Sequence, residues 1–492
     1  MKRKYKTSLL LASFILVLTS SCQDTLNIKP ISLISTVSFW TSEDDAKGAL
    51  SGMYVNLRNS AQGIFMVGDQ RSEIYEGGAF GEGTFSLYRN VMTPDNPGHP
   101  NWSGFYRTIN SANLLLKYVP GISFRSENTK NDVLAQAYTM RAYMYFVMTK
   151  TWGDLIIRTE PTESADAEQT LKARSSKEEV FKLIKADLEM ALKLFSNNNF
   201  ASGRNTWSKP GANTLKGDVY LWTAKQMSGG AADFNTALAA LNEVTKADVM
   251  LLPNFAGLFR MDNKGNKENI MSIRFQDLEA TNHFWFMWII NGAVPSTIDQ
   301  ATRDLINPIG GGQGLMVITD LVRKQFTNDD SRKKGSFYEI FTYDKEGKPT
   351  FYSTLSMKGI GQTDGGNRRF TSDVLLYRYA EVLLMIAEAK NALRQDPSPE
   401  MNIVRRRAYG ANFPDHVFVN GSKEANDAAI LKERLFELIY EGKRWWDLVR
   451  FGKAFDLVPA LKDRKGKNDL LLFPIAETVL SQEPLVKQNP GY

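Results

Sequence analysis

Glu433, Glu437 and Glu441 recur at every fourth position, so a helix would carry all three on one face. Glu381 and Glu388 share a face of a second helical stretch. A pair of carboxylates flanking a sugar is what glycosidic hydrolysis requires. The same stretches hold Arg378, Arg434, Lys443 and Arg444, and the intervening residues are apolar. That pattern places the acids at a helix–helix seam, where ion pairing is expected rather than catalysis. Nucleophilic chemistry finds no better footing. The five-residue elbow G-x-S-x-G is absent; Ser51-Gly52 and Ser228-Gly229 stand alone. His99, His283 and His416 are far apart, and no Cys/His cluster has metal-ligand spacing. Asp329, Asp330 and Asp364 sit in polar turns without the spacing of a calcium loop. The glycine run from Gly77 to Gly83 lacks the strand–turn–helix setting of a nucleotide site. Neither a cofactor nor a metal is expected.

Binding chemistry is better represented. The segment His283-Phe-Trp-Phe-Met-Trp288, if extended, turns Phe284, Phe286 and Trp288 to one side and His283, Trp285 and Met287 to the other. Aromatic faces stack on the C–H faces of sugars, and Asn282 and Asn291 flank the run with amides for hydroxyl groups. A buried strand explains the same pattern equally well. Trp445-Trp446 lies between helical stretches and is expected in the core, given the area an indole buries.

The amino terminus reads as an address. Lys2, Arg3, Lys4 and Lys6 precede the apolar run Leu9 to Leu18, and small residues lead to Cys22, the sole cysteine of 492 residues. The arrangement resembles the lipobox of a bacterial lipoprotein, which implies diacylglyceryl attachment at Cys22. The net charge of +6 is partly due to this leader; without residues 1–21, 56 basic residues face 54 acidic ones. A near-neutral body gives no electrostatic reason to expect a nucleic-acid partner.

Several stretches with 3.6-residue periodicity must position these groups. Helices are predicted from Thr41 or Ser42 through Ser60, then over 102–118, 132–152, 176–195, 210–227, 234–244, 372–393, 427–440 and 446–458. Glu43, Asp44 and Asp45 suit the first turn of the first helix, where the dipole favours anions. Two stretches do not fit a helical array. Gln62 to Asn101 is long and glycine-rich, and Pro253 to Phe370 holds many turn signals and a strand-like NIMSIRF. Short loops between helices suggest pairs of the tetratricopeptide kind, although no clean 34-residue repeat is present.

Taken in order, SCQDTLNIKP, FWTSEDDAKGALSGMY, NWSGFYRTINSANLLL, LAQAYTMRAYMYFVMTKTWGDL, SSKEEVFKLIKADLEMAL, VLLYRYAEVLLMIAEAKN, LKERLFELIYEGKRWWDLVRFGK and LLFPIAETVLSQEPLVKQNPGY resemble the SusD/RagB family of Bacteroidetes outer-membrane lipoproteins. The resemblance implies a mainly α fold: a tetratricopeptide-like scaffold over 39–252 and 371–492, and an irregular ligand-side region with short strands over 253–370. Residues 1–21 would be the signal peptide and 22–38 a lipidated tether. It also implies a non-enzymatic role. The protein would sit lipid-anchored on the outside of the outer membrane, capture an oligosaccharide, and pass it to a SusC-like TonB-dependent barrel. A peptide-binding member of the family, or a surface scaffold lipoprotein, is the alternative. Family ligand sites draw on the two loop regions, so Arg71, Tyr75, Asn101, Trp102, His283, Trp285 and Trp288 are the expected ligand-binding residues.

Overall fold

A computed structural model describes residues 39–78, 87–98, 101–163, 170–282, 294–306 and 314–492. Among the described residues, ten main helices form the scaffold: α1 (Glu43–Asp69), α2 (Ser103–Tyr118), α3 (Glu127–Trp152), α4 (Lys177–Leu194), α5 (Lys209–Gln226), α6 (Gly230–Val244), α7 (Tyr379–Ala392), α8 (Ser398–Tyr409), α9 (Lys423–Leu438) and α10 (Arg444–Arg450). Two of the starts are fixed by reciprocal caps. The Ser42 hydroxyl accepts from the Asp45 amide at 3.2 Å, and the Asp45 carboxylate accepts from the Ser42 amide at 2.8 Å. Ser176 and Glu179 do the same for α4. Each cap satisfies orphan amides of the first turn.

Neighbouring helices pack in sequence: α1 on α2, α2 on α3, α3 on α4, then α5 on α6, α6 on α7, and α7 on both α8 and α9. The fold is mostly helical, as its class requires. Every side chain of α3 from Thr139 to Trp152 is buried, because this helix is covered on all sides. A continuous apolar core runs through the scaffold; Leu383, Leu384, Met401, Val404, Phe418 and Ile430 form a satellite among α7, α8 and α9.

The strands form four two-stranded antiparallel ladders among the described residues: β1 (Tyr75–Gly77) with β3 (Met316–Ile318), β2 (Asn269–Ile273) with β8 (Val374–Arg378), β4 (Phe337–Tyr343) with β5 (Pro349–Ser356), and β6 (Gln362–Asp364) with β7 (Asn367–Arg369). The region after Leu252 has its own small core of Ile298, Ile306, Ile340, Leu355 and Phe370.

Three expectations are corrected. The first long loop does not begin at Gln62, since α1 continues to Asp69 with its last turns wholly buried. Residues 372–393 are not one helix: Val374–Arg378 is a strand, pinned by β2, and helix begins at Tyr379. The stretch 446–458 is broken at Phe451–Lys453, where Gly452 adopts φ +66°, outside the range of a helix. Helix α8 had no counterpart in the sequence reading.

Candidate functional site

The acidic faces singled out above are consumed by ion pairs. Arg332 donates to both oxygens of Asp330 and, through Nη1, to Glu433 at 2.7 Å and Glu437 at 3.3 Å. Arg378 reaches Glu437 at 2.5 Å, Glu268 at 3.0 Å and Glu441 at 2.8 Å. Arg434 holds Asp447 at 2.8 Å and Glu381 at 3.2 Å, and Lys443 adds a second cation to Glu381. Burial pushes the Glu437 carboxyl up, but Arg407, Arg378 and Arg332 more than reverse this and hold it well below the usual carboxylate range. Arg332 comes from the irregular region and Glu433 and Glu437 from α9, so the network clamps that region to the scaffold. It is a structural seam, as its spacing suggested.

Three of the expected ligand residues are core groups in the structure, and this corrects their assignment. Arg71 is 1% exposed. Its guanidinium donates to the carbonyls of Leu470, Leu471 and Leu472 and to Asn90 Oδ1, and it lies 4.1 Å from the Trp445 ring centroid. Tyr75 is buried, its hydroxyl donating to Asp69 Oδ2 at 2.6 Å. Trp102 is buried edge-on against Tyr106 and Trp152. All three are fully engaged inside the protein and present no surface to a ligand. Asn101 is partly exposed, but its Oδ1 accepts from the Ser103 amide at 3.0 Å and so caps the start of α2. Trp445 and Trp446 are buried, as expected. Cys22, His283, Trp285 and Trp288 lie outside the described residues. The chain entering the aromatic segment is anchored at Asn282, whose amide donates to Phe370 O at 2.9 Å and whose side chain donates to Ser372 O at 2.8 Å.

The irregular region carries an open cleft of about 510 Å³. One wall is the pair of short turns Ala256–Phe259 and Met261–Asn263; the other comes from Lys334, Gly335 and the approach to β6. Phe259, Met261, Met357 and Ile360 supply apolar surface, and Asn254, Arg260, Asp262, Lys334 and Gln362 supply polar groups. Phe259 is half-buried and stands edge-on to buried Phe255 at 5.3 Å. Arg260 and Asp262 pair with each other at the exposed mouth. Gly361 closes the far wall; its φ of +71° and a backbone oxygen of Arg369 only 2.2 Å from where a Cβ would stand both require glycine. A smaller cleft of about 220 Å³ lies between α1 and the strand–turn after Ile273. It is lined by Ser51, Tyr54, Arg58, Asn205, Thr206 and Glu279, among others. An apolar patch ringed by amides, hydroxyls and charges is the form that a saccharide-sized ligand needs. None of the first cleft's residues stood out in the sequence. The signal that was available is the turn-rich, aromatic PNFAGLF beginning at Pro253.

The protein is thus a stacked array of helix pairs bearing a loop-built region with a cleft. Residues 196–492 match the model of the SusD family, and residues 39–221 match a model described as starch-binding, associating with the outer membrane. The chain belongs to the SusD family. Among solved structures, B. fragilis NanU is 33% identical, covers 94% of this chain and 100% of its own, and superposes with a TM-score of 0.85. SusD-like protein P38 of Formosa agariphila is 27% identical over 96% of both chains. A laminarin binding SusD-like protein shares the fold, with a TM-score of 0.72 at 22% identity over 92% of this chain and 100% of its own.

Proposed function

We propose that this protein captures an oligosaccharide at the cell surface without altering it and delivers it to a SusC-like TonB-dependent barrel in the outer membrane, to which Cys22 moors it by lipid. The observation that carries the proposal is the cleft of about 510 Å³ in the irregular region, where the Phe259 ring stands beside amide, carboxylate and ammonium groups. Sugars need both kinds of surface, and a shallow, wet site of this sort gives modest affinity, roughly micromolar to millimolar. Family membership and the fold shared with a laminarin binding protein support a glycan as the ligand. The aromatic sequence of 283–288 is the second element proposed for the ligand side.

Titration calorimetry against a panel of neutral glucans and mixed-linkage oligosaccharides tests this, with Phe259→Ala and Trp285→Ala as variants. Affinity is expected to fall in each. Unchanged binding in Phe259→Ala removes the cleft from the site, and unchanged binding in Trp285→Ala removes the aromatic segment.

A further inference from the structure

Another cavity, built from scaffold elements alone, is not used by the capture site. It measures about 430 Å³ and lies among the carboxyl-terminal ends of α3 and α5, the start of α4 and the segments around Val449–Phe455 and Asn468–Leu472. Phe181, Trp222, Met227, Val449, Phe455 and Leu472 give it apolar walls.

Lys150 is part of the lining yet only 5% exposed. Its ammonium rests on aromatic rings, 3.7 Å from the Trp446 centroid, 3.9 Å from Phe146 and 5.7 Å from Trp222. Among the described residues it has no hydrogen bond and no ion pair. The nearby carboxylates are already taken: Asp218 by Arg450 and Tyr377, Glu381 by Arg434 and Lys443. The indole N–H of Trp446 is likewise buried without a partner. A buried cation without a hydrogen-bond acceptor recovers only part of its hydration, even though Asp218 and Glu381 favour its charge and it helps hold the Asp218 carboxyl low. Burial accordingly pushes the Lys150 amine down to about 7, with Lys443 and Arg450 lowering it further and Asp218 and Glu381 opposing. The other charged groups of the lining, Lys177 and Asp469, are exposed and offset one another.

We propose that this cavity is a binding site for a small carboxylate with a flat apolar body, which takes the Lys150 ammonium as its counter-ion and lies against the wall formed by Trp222, Phe181 and Phe455. The anion supplies the acceptors the amine lacks, and the ring or short chain fills the apolar walls. This site shares no residue with the cleft at Phe259.

The test is titration calorimetry on the full mature chain with benzoate, and with benzyl alcohol as the uncharged counterpart, at pH 6 and pH 8.5. Benzoate is expected to bind at least about tenfold more tightly than benzyl alcohol at pH 6, and to lose most of that advantage at pH 8.5, above the lowered range of the Lys150 amine. Lys150→Met, which replaces an unpartnered amine by an apolar chain of similar length, should abolish the preference for benzoate and raise the melting temperature. Phe455→Ala, at the partly exposed rim, should weaken both probes. The proposal is overturned if benzoate does not bind the wild-type chain, if it binds equally at the two pH values, or if Lys150→Met binds it as well as the wild type.

Discussion

The Arg450 guanidinium holds both oxygens of Glu388, Nε to Oε1 and Nη2 to Oε2 at 3.0 Å each, and thereby joins α10 to α7 in the middle of the scaffold. Lys225 adds a third contact from α5 at 3.0 Å. Burial pushes the Glu388 carboxyl up, but Arg450, Lys225 and Arg434 outweigh it and the group stays below its ordinary range. Glu388→Gln breaks a buried pair and should destabilise the protein by about 3–5 kcal/mol, measured by urea unfolding, with glycan affinity unchanged. The stabilisation is present above the unfolded carboxylate range near pH 4.5 and is lost as the pH falls below it. A folded variant of native stability that has lost ligand affinity would reassign Glu388 to the binding site.

Asp69 behaves in the opposite sense. Burial pushes its carboxyl up to about 7, despite hydrogen bonds from the Tyr75 hydroxyl and the Arg444 amide. Between about pH 4 and 7 the unfolded chain ionises at this position while the folded one retains its proton, so Asp69 contributes a fall in stability across that window. Asp69→Asn should flatten the fall and melt at or above the wild-type temperature at pH 8. A variant whose stability declines just as steeply between pH 5 and 7 would show that Asp69 is ionised in the folded state.

Arg71 ties the end of α1 to the carboxyl-terminal segment through three consecutive carbonyls. Arg71→Ala leaves those carbonyls and Asn90 without their donor, and a loss of about 3 kcal/mol or more is expected. Limited proteolysis should then cut first between residues 465 and 492. Native resistance to protease together with weakened glycan binding would restore Arg71 to the ligand site.

If Cys22 carries the proposed lipid, Cys22→Ser should move the protein from the membrane pellet to the soluble fraction, because acyl chains on that residue would supply the anchor. Persistence of the variant in the washed pellet would mean that something other than lipid retains it.

Much of the scaffold was legible because its determinants are local. The reciprocal caps at Ser42–Asp45 and Ser176–Glu179 announce two helices, and the all-round apolar character of α3 announces its burial. The Glu433–Glu437–Glu441 face was readable as a seam from its spacing and apolar neighbours, but not its partners: Arg332, Arg378 and Arg407 arrive from distant segments, while the chain-neighbouring Arg434 and Lys443 pair with Glu381 instead. Val374-Leu-Leu-Tyr377 was misread as helix because a short apolar run has the same pattern in a buried strand, and only pairing with distant β2 decides the matter. Helix α8 was missed because Arg405, Arg406 and Arg407 dilute its apolar stripe. The burial of Arg71 was not legible at all: the carbonyls that make it tolerable arrive from about 400 residues further on. The cleft at Phe259 was hidden for the same reason, since its walls meet only when Gln362 is folded back toward Asn254.

The most direct test of the capture account follows the ligand as well as the protein. The purified mature chain is titrated with an oligosaccharide panel, and each sugar is recovered afterwards and sized by chromatography. The account predicts saturable binding of at least one oligosaccharide and its recovery at full length. Shortened chains in the recovered material, or no binding across the panel, would contradict it.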